Sequence, residues 1–436
     1  MSAFAPSSAA PFRPASSALS AAASPSPLSV AIIGGGVAGL SCARHLSRAG
    51  LHRVVVFDTG RLRVGGRCSS RLPDPAGAGL LDHLPHPVDH AAQLLVDAGG
   101  RAEWTAQVRR WEAEGAAVRL SPGAVAAAGE DGAVRAVDPD AAFYRGGDAA
   151  GMNAVPLSLA REAADYGTDL RRDVWVSPGG GVRRRGDRWE VKGKGGRPET
   201  FDRLVVAHNG KCADRLMSKT PAKGLHSLLR TDFKPRVSPQ GGRRMTLNSL
   251  YSLTVALESP SPLAEALRRR AESEKRADGV ACLFVRNEPA LRFLSCASRK
   301  YDADGDGAEV WTVLSSPTFA SKHKAPQENL PPATIANVTD LLLRAVERSL
   351  DVPAEALRPL DARLQLWGAA VPLNTWEGGG ETPEEQGFLF DHAHGVGVCG
   401  DWLLEPSLYG AWESGRRLAR WMERVEKEGE GEKEGE

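Results

Sequence analysis

The chain has 436 residues, 42% of them apolar and 25% charged, with 55 Lys and Arg against 54 Asp and Glu. At about 150 residues per domain this length implies two or three units, and the near-neutral balance excludes a strongly basic nucleic-acid binder and a polyacidic chain on bulk charge alone. No run of about 18 apolar residues predicts a transmembrane segment, and six cysteines without a CxxC pair indicate neither a disulfide scaffold nor a zinc ribbon and read as a reducing compartment.

The first 29 residues contain nine Ser, nine Ala and five Pro, a single basic residue, Arg13, and no acid. Such a segment cannot bury enough apolar surface to offset its ordering entropy. Residues 1–28 are therefore expected to be disordered, and their Ser/Ala-rich, acid-free composition fits a transit peptide, plastid rather than mitochondrial because Arg is scarce. Localisation in the chloroplast follows as the expectation, with cytoplasm or mitochondrion as alternatives.

The ordered part opens with an apolar, β-branched run from Ser29 to Ile33, which predicts a buried strand. A Gly-rich turn follows, then Leu40, Ala43, Leu46 and Ala49 at helical spacing, with Gly50 to end the helix. Arg53 to Phe57 predicts a second strand, so the unit is a right-handed parallel βαβ. Its turn, Gly34-Gly35-Gly36-Val37-Ala38-Gly39, satisfies GxGxxG. In a chain with 47 glycines that pattern is weak alone, but a strand before it, a helix after it and Asp58 at the end of the next strand strengthen it. Gly34 allows the tight turn, Gly36 lets the backbone approach a pyrophosphate, and Gly39 permits close helix–strand packing. The helix N-terminus offers N–H groups and a positive dipole end to phosphates, and Asp58 is placed to accept from a ribose.

Five residues after Asp58 a second segment begins, Arg63-Val64-Gly65-Gly66-Arg67-Cys68-Ser69-Ser70. Two Gly and two Arg so near a first phosphate site suit a large dinucleotide whose pyrophosphate and ribityl chain need neutralising. A helix is predicted from Asn153, read as its N-cap, to Tyr166, and strands at Val174–Val176, Trp189–Val191 and Leu204–Ala207. Between 216 and 380 strand-like runs recur at Leu250–Leu257, Val280–Val285, Leu291–Cys296, Val310–Leu314 and Leu364–Leu366, with helical patterns near 262–277 and 333–350. Val396–Cys399 predicts a short buried strand and Leu408–Trp421 a closing helix, followed by an acidic, solvated and disordered tail, 423–436.

The GxGxxG unit followed by RxGGRxxS resembles the FAD-dependent amine-oxidase superfamily. Asp89-His90-Ala91-Ala92-Gln93 is similar to the D-x-G-A-Q segment of its renalase-like branch, with Ala91 where Gly is usual, and Gly151-Met152-Asn153 also suits that branch. Gly400-Asp401, Ser407, Gly410-Ala411 and Ser414-Gly415 resemble the C-terminal flavin motif. The nearest family that the motifs name is the renalase-like FAD/NAD(P)-binding oxidoreductases of plants and algae.

That resemblance implies an α/β fold in which a Rossmann-type FAD-binding domain (29–100, 146–215 and 386–422) is interleaved with a mixed α+β substrate domain (101–145 and 216–385). It implies non-covalent FAD and a small-molecule substrate. Gly34, Gly36, Ala38 and Gly39 would take the pyrophosphate, Asp58 the adenosine ribose, and Gly65, Gly66 and Arg67 the phosphate or ribityl chain. Ala92 and Gln93 would approach the flavin, Val176 the adenine, and Gly400 and Asp401 the ribityl or phosphate groups. The turn before Gly410 and Ala411 would present helix N–H groups to the flavin pyrimidine edge.

Catalytic residues are not legible in the same way, because a flavin carries the redox chemistry. Lys300, in Arg299-Lys300-Tyr301, is the catalytic candidate; a lysine in such a turn is otherwise expected at the surface. His83, His86 and His90 invite a metal, but Pro85 and Pro87 forbid the helix that would align them, so no metal site is expected. Cys399 reads as a buried strand residue, and of Trp367, Trp376, Trp402 and Trp412 the one beside Asp401 has the best claim to line a pocket. The functional expectation is oxidation of an amine or dihydronicotinamide-like molecule by hydride transfer to flavin. The alternatives are a desaturase or isomerase of a plastid isoprenoid or tetrapyrrole, and a non-catalytic flavin-binding scaffold or redox sensor.

Overall fold

The computed structural model describes residues 27–137, 140–234, 245–270, 279–303, 307–375 and 387–434; Trp376 and the 1–26 part of the N-terminal segment lie outside the described residues. The apolar run Leu28–Ile33 forms β1 and leads into helix α1, Val37–Ala49, which ends at Gly50 in a left-handed conformation (φ 72°). The chain returns through β2, His52–Phe57. Later crossovers add α2 (Ala102–Ala113), β3 (Val125–Ala128), β4 (Val134–Ala136), α3 (Ala154–Asp165), β5 (Asp169–Arg171) and β6 (Arg203–Val206). The second half contributes β7 (Leu250–Glu258), β8 (Cys282–Val285), β9 (Leu291–Cys296), β10 (Ala308–Ser315), α4 (Pro332–Leu350) and β11 (Asp361–Trp367). The chain closes with β12 (Phe388–Asp391), β13 (Val396–Cys399) and α5 (Leu408–Glu434).

Two large sheets organise these elements. The first has the order β5-β2-β1-β6-β13-β12, parallel except for the β12–β13 hairpin. Its central strands are buried on both faces and read as continuous Val/Ile/Leu runs, as a covered parallel sheet requires. The second has the order β11-β7-β10-β9-β8-β3-β4 and is antiparallel except where β8 meets β3. One face of β7, with Tyr251, Leu253, Val255 and Leu257, packs on α4 and the helix Pro262–Arg270. The other face, with Ser252 and Thr254, turns toward the first unit.

Several local expectations change. Asn153 stands at the N-cap of α3, but its side chain does not cap; the Nδ2 donates to the carbonyls of Val64 (2.7 Å) and Cys68 (3.2 Å) and so ties down the second glycine segment. Helix α2 escaped the sequence reading, although Trp104, Val108 and Trp111 follow helical spacing. These residues pack on Val37, Leu40, Leu159 and Trp412, so α2 covers the first sheet rather than joining the second. Of the described residues in segment 101–145, only β3 and β4 enter the second sheet. Residues 216–229 also stay with the first, because Leu216, Met217, Leu225 and Leu229 pack beside Val206 and Trp402. Val174–Val176 contributes only an isolated bridge between Val176 and Gly193. Past residue 422, where a free tail was expected, α5 continues through Glu434; Glu426 contacts His52 and lies 3.5 Å from the Arg203 guanidinium.

Candidate functional site

Two glycines are decided by opposite demands. A Cβ at Gly39 would lie 2.0 Å from the Gly34 carbonyl oxygen, so α1 can approach β1 this closely only without one. A Cβ at Gly36 would meet nothing within 4 Å. Gly36 therefore leaves open space in front of the α1 N-terminus, whose first turn carries no acid and no side-chain cap. First-turn N–H groups have no intrahelical acceptor and favour anions. Gly66, at φ 56°, faces the same opening, since a Cβ there would touch only the Gly36 Cα at 3.7 Å. The two glycine segments are pinned together by Gly65 N–H donating to the Gly35 carbonyl at 2.9 Å. Gly34 leaves β1 at φ 117°, and Ala38 is buried in the first turn beneath α5.

Asp58 ends β2 and is 8% exposed. Its Oδ2 accepts from Gly35 N–H and its Oδ1 from Gly60 N–H, both at 2.8 Å. Each oxygen keeps a second lone pair for a ribose hydroxyl. Val174 N–H donates to the Asp58 carbonyl at 2.9 Å, which brings Val176, two residues on and buried, to the same end of the opening.

At the other end, Arg67 grips Asp401 through two bonds, Nη1 to Oδ2 at 2.9 Å and Nη2 to Oδ1 at 2.6 Å, and its Nη1 also donates to the Ala370 carbonyl at 2.8 Å. This bidentate pair joins two motifs 334 positions apart in sequence. Ala92 N–H donates to the Arg67 carbonyl at 3.0 Å, and the buried Gln93 donates from Nε2 to the Asp89 carbonyl at 2.8 Å. Gly400 N–H donates to the Ser414 hydroxyl at 2.9 Å.

The N–H groups of Gly410 and Ala411 donate to Ser407, through its Oγ at 3.0 Å and its carbonyl at 3.1 Å respectively. A Cβ on Gly410 would lie 1.9 Å from the Glu405 carbonyl oxygen, so its glycine serves a tight turn. Trp402 belongs to the core of the first sheet at 1% exposure; Trp367, half-buried, is stacked on His90 with ring centroids 5.7 Å apart. Cys399 is a buried strand residue, and all six cysteines are free thiols.

Lys300 is not at the surface. It is 1% exposed, and its Nζ lies 2.6 Å from Asp89 Oδ2 and 2.9 Å from the Gln93 carbonyl. Asp89 also accepts from Tyr301 Oη at 2.6 Å, from Ser70 Oγ at 2.5 Å and from Met152 N–H at 2.9 Å, while its carbonyl accepts from Thr312 Oγ1 at 2.9 Å. Burial works against the charged carboxylate, but the Lys300 ammonium and the Ser70 and Tyr301 hydroxyls outweigh it and hold Asp89 below its usual range. A lysine paired with a buried carboxylate fixes the 89–93 segment against the second sheet. The sequence signal for this knot was present in Asp89, but its partners come from 19 to 223 positions away.

The histidines do not converge. His86 stacks on Tyr301, with ring centroids 6.3 Å apart, and His90 stacks on Trp367. Among the described residues no group of His, Cys, Asp and Glu could hold a metal ion, and no helix is long and apolar enough to cross a membrane.

Comparison with known proteins places this architecture. Residues 32–111 match the family described as NAD(P)-binding Rossmann-like domain. Among solved structures the chain is similar to a candidate protoporphyrinogen oxidase from Exiguobacterium sp. 255-15, with a TM-score of 0.60 and 12% identity over 92% of this chain and 99% of that one. It is similar to putrescine oxidase bound to putrescine (TM-score 0.54, 11% identity, 91% and 99% covered) and to an oxidoreductase from Methanosarcina mazei (0.54, 12%, 88% and 99%). At these identities the likeness is one of fold. A Rossmann-type unit is combined with a mixed α/β second unit.

Proposed function

We propose that this protein is an FAD-dependent oxidoreductase of the renalase and amine-oxidase type, oxidising an amine or dihydronicotinamide-like small molecule. The observation that carries the reading is the opening shared by Gly36 and Gly66 at the α1 N-terminus, with Asp58 at one end and the Arg67–Asp401 pair at the other. A nicotinamide dinucleotide would need only the first glycine turn. The second segment, bonded to the first through Gly65 and Gly35, extends the cradle and suits the longer, ribityl-bearing FAD.

FAD held here without a covalent bond would supply a two-electron acceptor for hydride. The chain's own work is to bind and enclose. The α1 N-terminus takes the pyrophosphate, Asp58 the ribose, and the 89–93 segment, locked by Lys300, closes the space between the two units and excludes water. Hydride transfer to flavin demands no nucleophile or metal from the chain, and oxygen or another acceptor would take the electrons on.

The purified protein should be yellow, and acid or heat should release free FAD. A colourless protein that binds only NAD in calorimetry would overturn the assignment. Bleaching by an amine or dihydropyridine donor without oxygen, followed by recovery of colour in air, would separate an enzyme from a flavin-binding scaffold. The composition of residues 1–28 supports plastid targeting; a fluorescent reporter carrying them should enter plastids, and one that stays in the cytosol removes that part of the reading.

A further inference from the structure

Two of the apolar side chains left in water stand on neighbouring loops. Among the described residues Leu62, at 77% exposure, is the most exposed large apolar side chain, and Trp175, at 53%, is the only exposed tryptophan. Backbone contacts bring their loops together. Asp173 N–H donates to the Gly60 carbonyl at 3.2 Å, Val174 N–H to the Asp58 carbonyl at 2.9 Å, and the Arg172 guanidinium to the Leu62 carbonyl. Lys194 N–H donates to the Trp175 carbonyl at 2.8 Å, and Val176 bridges Gly193, so a third loop lies alongside. Extended backbone sends alternate side chains to opposite sides. Val174 and Val176 turn into the core of the first sheet, with Trp189 and Phe201, and Trp175 therefore points away from it into solvent.

The same three loops are basic. Residues 59–63, 172–175 and 192–197 carry six Lys and Arg and one acid, Asp173. Arg61, Arg172, Lys192, Lys194 and Arg197 are exposed, and among the described residues no salt bridge neutralises any of them. Like charges gathered this way repel one another and draw in an anionic surface.

Charge complementarity calls for an anionic partner, and the size of the apolar part decides which kind. A stable protein interface covers about 800 Å² on each partner around a buried apolar centre. A tryptophan supplies roughly 150–250 Å², and one leucine beside it leaves the total far short. A membrane interface asks for less: a tryptophan at the level of the lipid head groups, a leucine dipping below them, and cations against anionic lipid. We propose that the 59–63, 172–175 and 192–197 loops form a peripheral docking surface for an anionic lipid membrane. Adsorption of this kind needs no membrane-spanning helix. It brings the Asp58 end of the glycine cradle close to the bilayer, because Val174 is bonded to the Asp58 carbonyl.

The test sediments the purified full-length protein with vesicles of phosphatidylcholine alone and of phosphatidylcholine mixed equally with phosphatidylglycerol. The wild type should bind the anionic vesicles and hardly bind the neutral ones, and added salt should release it. Lys194→Gln combined with Arg197→Gln should weaken binding roughly 25-fold, at about fivefold per cation near an anionic surface. Trp175→Ser and Leu62→Ser should each weaken it roughly tenfold, the loss expected when a large apolar side chain no longer enters an apolar phase. All four side chains stand in solvent, so melting temperature and flavin content should stay as in the wild type. The vesicle comparison on the wild type stands by itself should a variant fail to fold. Immobilised polyglutamate probes the other kind of partner: retention there without binding to anionic vesicles would assign the patch to an acidic protein and overturn the membrane proposal. Equal wild-type binding to the two vesicle types, no binding to either, or anionic-vesicle binding unchanged in either the charge variant or Trp175→Ser would overturn it as well.

Discussion

Asp58 shows how one side chain comes to hold two jobs. Sequence spacing nominates it for a ribose, and the structure adds that both of its oxygens accept backbone N–H groups, from Gly35 and Gly60. Asp58→Ala should therefore lower FAD affinity by roughly 10- to 100-fold, the loss of a charge-assisted hydrogen bond. It should also lower the melting temperature, because two turn N–H groups lose their acceptor at about 1–3 kcal/mol each if they stay buried. Fluorescence titration of the apoprotein with FAD and a thermal melt read the two effects separately. A variant that loses affinity with an unchanged melt would show that water replaces the carboxylate at the turn.

At the scale of elements, the decisive contact is α1 between β1 and α5. Gly39 meets the Gly34 carbonyl on one side; on the other, a Cβ at Gly415 would lie 2.1 Å from the Ala38 carbonyl oxygen, and Ser41 Oγ donates to the Trp412 carbonyl at 2.7 Å. The helix is held between backbones at distances that no larger residue permits. Gly39→Ala should thus destabilise by about 1–3 kcal/mol or more, as overpacking against backbone does, and appear as a lower melting temperature. Gly36→Ala should behave oppositely, because its added methyl meets only open space. It should melt close to the wild type yet purify with little flavin, the methyl occupying the approach to the pyrophosphate. Full flavin content in Gly36→Ala would mean that the opening is not the phosphate cradle.

Over the whole molecule, the two units are joined by a polar knot. Asp89 receives Ser70 and Met152 from the first unit and Lys300, Tyr301 and Thr312 from the second. Its lowered carboxylate value means that the group stabilises the fold above the unfolded value of about 3.9. That contribution is lost as pH falls through the lower folded value. Asp89→Asn leaves Lys300 buried without its counter-charge and should cost about 3–5 kcal/mol at neutral pH. In denaturant titrations the wild-type and variant stabilities should converge as the solution is acidified below about pH 4. Parallel curves across that range would show that Asp89 does not titrate with unfolding.

By itself the sequence determined the dinucleotide unit, because its signals are local. A β-branched run, glycines at fixed offsets and an acid at the end of the next strand act within a few turns of chain; β1 and β2 follow within one residue of where their patterns lie, and α1 ends at Gly50 as expected but begins at Val37, three residues before Leu40. Strand β9 is legible for the same reason, since Leu291, Phe293 and Leu294 stand in a run of strand length. Tertiary structure alone decided which unit α2 joins, since Trp104 and Trp111 name a buried face and not the partner that buries it. It decided that Lys300 is interior, because a turn lysine goes inside only when a carboxylate waits there, and Asp89 stands 211 positions earlier in the chain. Long-range charge pairing and sheet register set these environments, and neither leaves a periodic trace in the sequence.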